Sequence, residues 1–144
     1  MPEIRFYVLE SEDPKARYRF ACKLVEKIYR NDGYCYVQTE NAEQSRLLDD
    51  LLWTFRPGSF IPHQIYEGIM PEFFPVVLVG DREAPSVRPG TLLNLSDRYP
   101  ENFAAVGRLL EILDDNEDCK AAGRHRYRRY QQAGFPITTH KITG

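Results

Sequence analysis

Residues 120–132, KAAGRHRYRRYQQ, hold the strongest local concentration of binding chemistry in the chain. Lys120, Arg124, Arg126, Arg128 and Arg129 bring five cations into ten positions with no acid between them. On a helix of about 100° per residue, Lys120, Arg124, Tyr127, Arg128 and Gln131 share an arc of about 100°. Tyr130 and Gly123 fall beside that arc and are expected to touch the body of the protein. Arginine forks match carboxylates and phosphates, and a phenol ring among them offers a wall for an apolar or aromatic group. Two ligands answer that description. One is an acidic peptide ending in a hydrophobic residue and a free carboxylate. The other is single-stranded nucleic acid, held by phosphate contacts and base stacking. Asp114, Asp115, Glu117 and Asp118 ahead of the segment suit a helix start, and cations suit its end. That effect explains some of the cations but not five in ten residues.

A second candidate surface centres on Trp53. Leu47, Leu48, Leu51, Leu52 and Phe55 form one helical stripe, and Trp53 lies about 170° from its centre. Trp53 therefore cannot share the leucine core. Phe60, Ile61 and Pro62 follow in a loop and could join it in an exposed aromatic patch, the kind of surface that anchors a partner. In the competing reading, the 56–73 loop folds back over the indole.

Other reactive types carry no pattern. His63, His125 and His140 lack metal-ligand spacing. Asp49 and Asp50 are neighbours on a helix, so their carboxylates diverge. No serine or cysteine sits in a nucleophile context such as Gly-x-Ser-x-Gly. Cys22, Cys35 and Cys119 are odd in number and far apart, which favours reduced thiols over disulfides or zinc. No catalytic residue, metal or cofactor is expected.

The elements that must position these residues follow from periodicity and punctuation. At 144 residues, one domain over 1–144 is expected. Net charge is −2 and the pI about 5.9, which disfavours a chain that wraps DNA but allows a local basic face. The N-terminus carries no signal-peptide pattern and no apolar run reaches membrane-spanning length, so a soluble cytoplasmic protein is expected. Ile4–Leu9 reads as a strand. Pro14 can open a helix through about residue 30, stopped by Asn31-Asp32-Gly33. Tyr34–Thr39 reads as a strand, and Asn41 as the N-cap of a helix to about Thr54. Residues 56–73 read as a structured loop, Phe74–Gly80 as a buried strand, Pro89-Gly90 as a turn and Thr91–Leu95 as a strand. Phe103, Val106, Leu109, Leu110 and Leu113 predict a helix over 101–113. A last helix runs to about Ala133, ended by Gly134, and Ile137–Ile142 is a final strand. Alternating strands and helices imply an α/β fold, a three-layer α/β/α sandwich on a mainly parallel sheet. It is Rossmann-like, but no glycine-rich phosphate-binding signature accompanies it.

Two motifs in order resemble a known family. LLDDLLWTFRPGSFIPH at 47–63 is similar to the central motif of the DNA polymerase III chi subunit family, a helix ending in Leu-Trp before Ser-Phe-x-Pro-His. RHRYRRYQQAGF at 124–135 resembles that family's closing helix, and FYVL at 6–9 and PVVLV at 75–79 agree. The resemblance implies a non-catalytic accessory subunit of the clamp-loader complex in DNA replication. It implies a heterodimer with the psi subunit and capture of the acidic C-terminal tail of single-stranded DNA-binding protein. By position, Lys120, Arg124, Tyr127 and Arg128 would line the tail pocket. Trp53, Phe60 and Pro62 would meet psi or a helicase-like competitor. Direct single-stranded nucleic-acid binding through the basic helix is the alternative function.

Overall fold

The computed structural model describes residues 2–31, 34–69, 77–85, 90–100 and 106–143. Strand β1 (Glu3–Leu9) leads to α1 (Pro14–Asn31), β2 (Cys35–Gln38) and α2 (Ala42–Thr54). Strands β3 (His63–Ile65), β4 (Val77–Gly80), β5 (Thr91–Asn94) and β6 (Arg108–Leu113) follow, then α3 (Glu117–Gln132) and β7 (Ile137–Ile142). The seven strands form one sheet in the order β3-β4-β2-β5-β6-β1-β7, and every paired neighbour is parallel.

A parallel sheet needs cover on both faces, and two separate cores provide it. Val25, Ile28, Leu48 and Leu52 from α1 and α2 pack with Cys35, Val37, Val79, Leu110 and Ile112 on one face. Tyr130 of α3 packs with Ile4, Phe6, Tyr36, Leu78, Leu92 and Leu109 on the other. Strand residues alternate between the two, as the pleat demands. The result is the α/β/α sandwich expected from the element pattern.

Local signals placed most elements within a residue or two. Pro14 is the first residue of α1. The Asn41 side chain accepts the Gln44 amide as N-cap of α2. Gly134 takes a φ of 85° just past α3, where a side chain would be strained. Residues 74–76 of the expected buried strand, Gly33 and Pro89 lie outside the described residues.

The helix expected over 101–113 is corrected. Residues 108–113 are strand β6, between β5 and β1, and 101–105 lie outside the described residues. A central strand is apolar on both faces, so Leu109, Leu110 and Leu113 reproduce by accident the three-and-four spacing of a helix. Strand β3 also went unread inside the 56–73 loop, because three residues are too short to show a period. The leucine stripe on α2 is only partly core: Leu48 and Leu52 are fully buried, whereas Leu47 is 40% exposed.

Two buried arginines fasten helices to the sheet. Arg17 of α1 donates to the Ile112 carbonyl at 2.8 Å and the Leu95 carbonyl at 3.2 Å, near the carboxyl ends of β6 and β5. Arg126 of α3 forks onto the Glu111 carboxylate of β6 through Nε at 2.9 Å and Nη2 at 3.1 Å. Its third nitrogen donates to the Asp97 carbonyl at 3.0 Å. The Tyr130 hydroxyl donates to the same carboxylate at 2.6 Å and Asn94 at 3.1 Å. Glu111 is thus satisfied on every side although fully buried. Arg126→Ala would strand that carboxylate in the core and should cost about 3–5 kcal/mol. Urea unfolding checks this, and a loss below about 1 kcal/mol would show that the network does not hold α3.

Candidate binding sites on the third and second helices

Helix α3 starts where Asn116 caps it, its side chain accepting the Asp118 and Cys119 amides at 3.0 and 3.3 Å. Glu117 and Asp118 occupy the positive end of the helix dipole. Gly123 lets the helix approach β6 closely, since an added Cβ would stand 2.4 Å from Leu113 Cδ1.

The five cations of the segment divide by environment. Arg126 is locked in the core and its guanidinium is stabilised in the charged form by Glu111 against the cost of burial. Burial and the Glu111 charge push the Tyr130 phenol far above its ordinary range. Arg129 lies 3.6 Å over the Tyr99 ring, a cation–π contact. Lys120 is half-buried and donates to Asp115 at 2.9 Å, with Glu117 at 3.3 Å. The hydrogen bonds that its ammonium donates to those two carboxylates raise its pKa. Arg124 and Arg128 are exposed.

Arg124 and Tyr127 are brought together. They stand one turn apart on the rim of a shallow depression of about 170 Å³, floored by Phe6, Val8 and Leu113 and bordered by Gly123 and Thr139. Tyr127 is half-buried and meets Phe6 edge-on, with centroids 5.2 Å apart. An apolar hollow beside an arginine fork suits a hydrophobic side chain that carries, or lies next to, an anion. Lys120 and Arg128 flank the rim one turn to either side of Arg124.

Across the sheet, Trp53 is 55% exposed and Phe60 83%, and Pro62 is exposed as well. The described residues of the loop, 56–69, leave the indole exposed. The buried His63 ring tucks against it, centroids 4.3 Å apart and tilted by 48°. The His63 ring nitrogens lie 2.7 Å from the Ile61 carbonyl and 2.9 Å from the Asp49 carbonyl, so α2 and the loop before β3 hold the ring from both sides. Ile69, 82% exposed, is a further large apolar side chain that the sequence did not single out.

Glu26 was also missed. Arg56 and Ser59 from the loop before Phe60 both donate to its buried carboxylate, the serine hydroxyl at 2.6 Å, and Arg30 lies 3.4 Å away. No motif marks it, since a lone glutamate on a helix reads as ordinary surface. Among the described residues no group of three histidines, cysteines or acids could hold a metal ion. Nor is any described helix long and apolar enough to cross a membrane.

The family model of the DNA polymerase III chi subunit, HolC, matches residues 1–138. The chain belongs to the DNA polymerase III chi subunit family. Curated chi subunits agree along their length. The one from Pseudomonas aeruginosa is 32% identical over 142 residues, covering 99% of this chain and 98% of the relative. The one from Escherichia coli is 23% identical, covering 96% and 97%, and the one from Haemophilus influenzae 21%, covering 96% of each. These are accessory, not catalytic, subunits of a replication polymerase. Among solved structures, T4 UvsW superposes with a TM-score of 0.65 at 8% identity, covering 99% of this chain and 41% of that one. That likeness shows the fold alone.

The chi-family loop carrying Phe60 depends on a carboxylate, which gives it a pH signature. Hydrogen bonds from Arg56, then Ser59, hold the Glu26 carboxyl below the ordinary carboxylate range. A depressed folded-state pKa stabilises the native state above the unfolded value, and that contribution disappears as pH falls through the folded value. The stability gap between wild type and Glu26→Gln should therefore be full at neutral pH and close on acidification below the carboxylate range. Urea midpoints across that range check it, and a gap independent of pH would contradict it.

Proposed function

We propose that this chi-family chain is a two-sided adaptor that joins the clamp loader to single-stranded DNA-binding protein. The α3 hollow takes the acidic C-terminal tail of single-stranded DNA-binding protein. The tail's terminal apolar side chain enters beside Phe6, Val8 and Leu113, and its carboxylate meets Arg124. Tyr127 forms the wall, Arg128 attracts the upstream acids, and Lys120 adds charge once it is drawn from Asp115 and Glu117. The patch of Trp53, Phe60 and Pro62 takes the psi subunit, or a helicase-like protein that competes for it. This work is carried out in the cytoplasm, without a cofactor and without catalysis by the isolated chain.

The observation that carries this reading is the placement of Arg124 and Tyr127 on one rim of one apolar hollow. Commitment of Arg126 to the core and Arg129 to Tyr99 supports a short peptide over a nucleic-acid track on α3, because few cations are left for a phosphate backbone. The two surfaces lie on opposite layers of the sandwich, α3 on one and α2 on the other, so one partner need not displace the other.

Titration of a fluorescent acidic peptide ending in an aromatic residue tests the first site. Arg124→Ala should weaken binding by about 2 kcal/mol, the cost of leaving a desolvated carboxylate unpaired. Unchanged affinity would remove Arg124 from the site. Trp53→Ala should leave peptide affinity unchanged and abolish co-purification with psi. Retention of psi by that variant would count against the patch.

A further inference from the structure

Helix α1 carries a second basic surface that the adaptor reading does not use. Lys15, Arg19, Lys23 and Lys27 recur every four residues and all are exposed or line its outer edge. Successive members stand about 6 Å apart along the helix axis and the row turns through about 120°. Arg30 falls within the same arc. Glu26 shares it too, but is buried under the Arg56–Ser59 loop and already accepts from both. Among the described residues, no ion pair engages Lys15, Arg19, Lys23 or Lys27. Asp13 stands near the Lys15 end and Glu10 lines the neighbouring recess, so the four cations leave a local excess of positive charge in a chain of net charge −2.

Beside this row lies a recess of about 510 Å³. Leu9, Ala16, Phe20 and Ile142 supply its apolar wall, and Arg19 and Lys23 its cationic rim. Glu10 and Ser11 add hydrogen-bond acceptors at one end. The half-buried Phe20 ring belongs to an aromatic series, with Tyr7 at 5.3 Å and His140 stacked on Tyr7 at 5.2 Å. Regularly spaced cations next to an apolar aromatic recess are the two components of a platform for single strands: phosphates on the cations, a base against the ring. Acceptors at the recess end suit the exocyclic amino group of a base.

We infer that the exposed face of α1 binds single-stranded nucleic acid, with the backbone along Lys15, Arg19, Lys23 and Lys27 and a base in the recess against Phe20. This surface is distinct from the α3 hollow, so a chain could hold a protein tail on one layer and the strand on the other.

Anisotropy of a fluorescein-labelled deoxycytidine oligomer of about twenty nucleotides, titrated with the full chain at about 50 mM salt, tests this. The wild type should bind, with an affinity that falls steeply as salt rises. Lys23→Glu with Lys27→Glu should weaken binding tenfold or more and flatten the salt slope by about 0.7 for each phosphate no longer neutralised. Phe20→Leu, which keeps the recess apolar, should weaken binding several-fold with an unchanged slope, and circular dichroism should show that both variants fold. Arg124→Ala should bind the oligomer as the wild type does, which separates this site from the tail site. Absence of binding by the wild type, or indifference to the Lys23 and Lys27 reversals, would overturn the inference. So would equal affinity for a duplex of the same length, or displacement of the oligomer by polyglutamate at equal charge.

Discussion

Helix α3 is amphipathic in an unusual sense, because charge lies on both of its sides. Arg126 points inward onto Glu111, and Tyr130 and Asn94 complete the shell around that carboxylate. A fully buried ion pair is stable only with such saturation, because removal of either charge leaves the other desolvated. The pair therefore fixes the rotation of the helix about its own axis. With Arg126 inward, Arg124 and Tyr127 must open toward β1 and β7, where Phe6, Val8 and Thr139 finish the hollow. The candidate peptide site is in this sense a by-product of a buried salt bridge one residue away.

The sequence made visible what local physics decides. Caps, proline and glycine bounded α1, α2 and α3, because their signals act within four residues. Alternation of strands and helices was enough for the layered architecture. Strand β6 was misread because burial on both faces erases the period of two that identifies a strand. The wheel grouped Arg124 with Tyr127 correctly, since that geometry is intrinsic to a helix. It could not separate Arg124 from Arg126 or Arg129 as available cations, because the partners Glu111 and Tyr99 come from other elements. Glu26 was illegible for the same reason: the Arg56–Ser59 loop that needs it begins thirty positions later in the chain.

The proposed adaptor role divides its labour between the two layers. The α3 layer offers a small hollow with Arg124 on its rim and Arg128 one turn beyond, suited to a short anionic end. The α2 layer offers large exposed apolar side chains at Trp53 and Phe60, suited to a folded partner. The sheet and its two cores lie between them, so both surfaces are carried by one scaffold. Such a scaffold can couple two partners in space without any chemical step of its own.

The most direct test of this account is the map of backbone amide shifts on titrating an acidic peptide that ends in an aromatic residue with a free carboxylate. The account places the largest changes at residues 123–128 of α3 and at Thr139 of β7, with α2 and the Phe60 loop silent. Changes centred on α2, or on the carboxyl ends of β2 and β5, would contradict it.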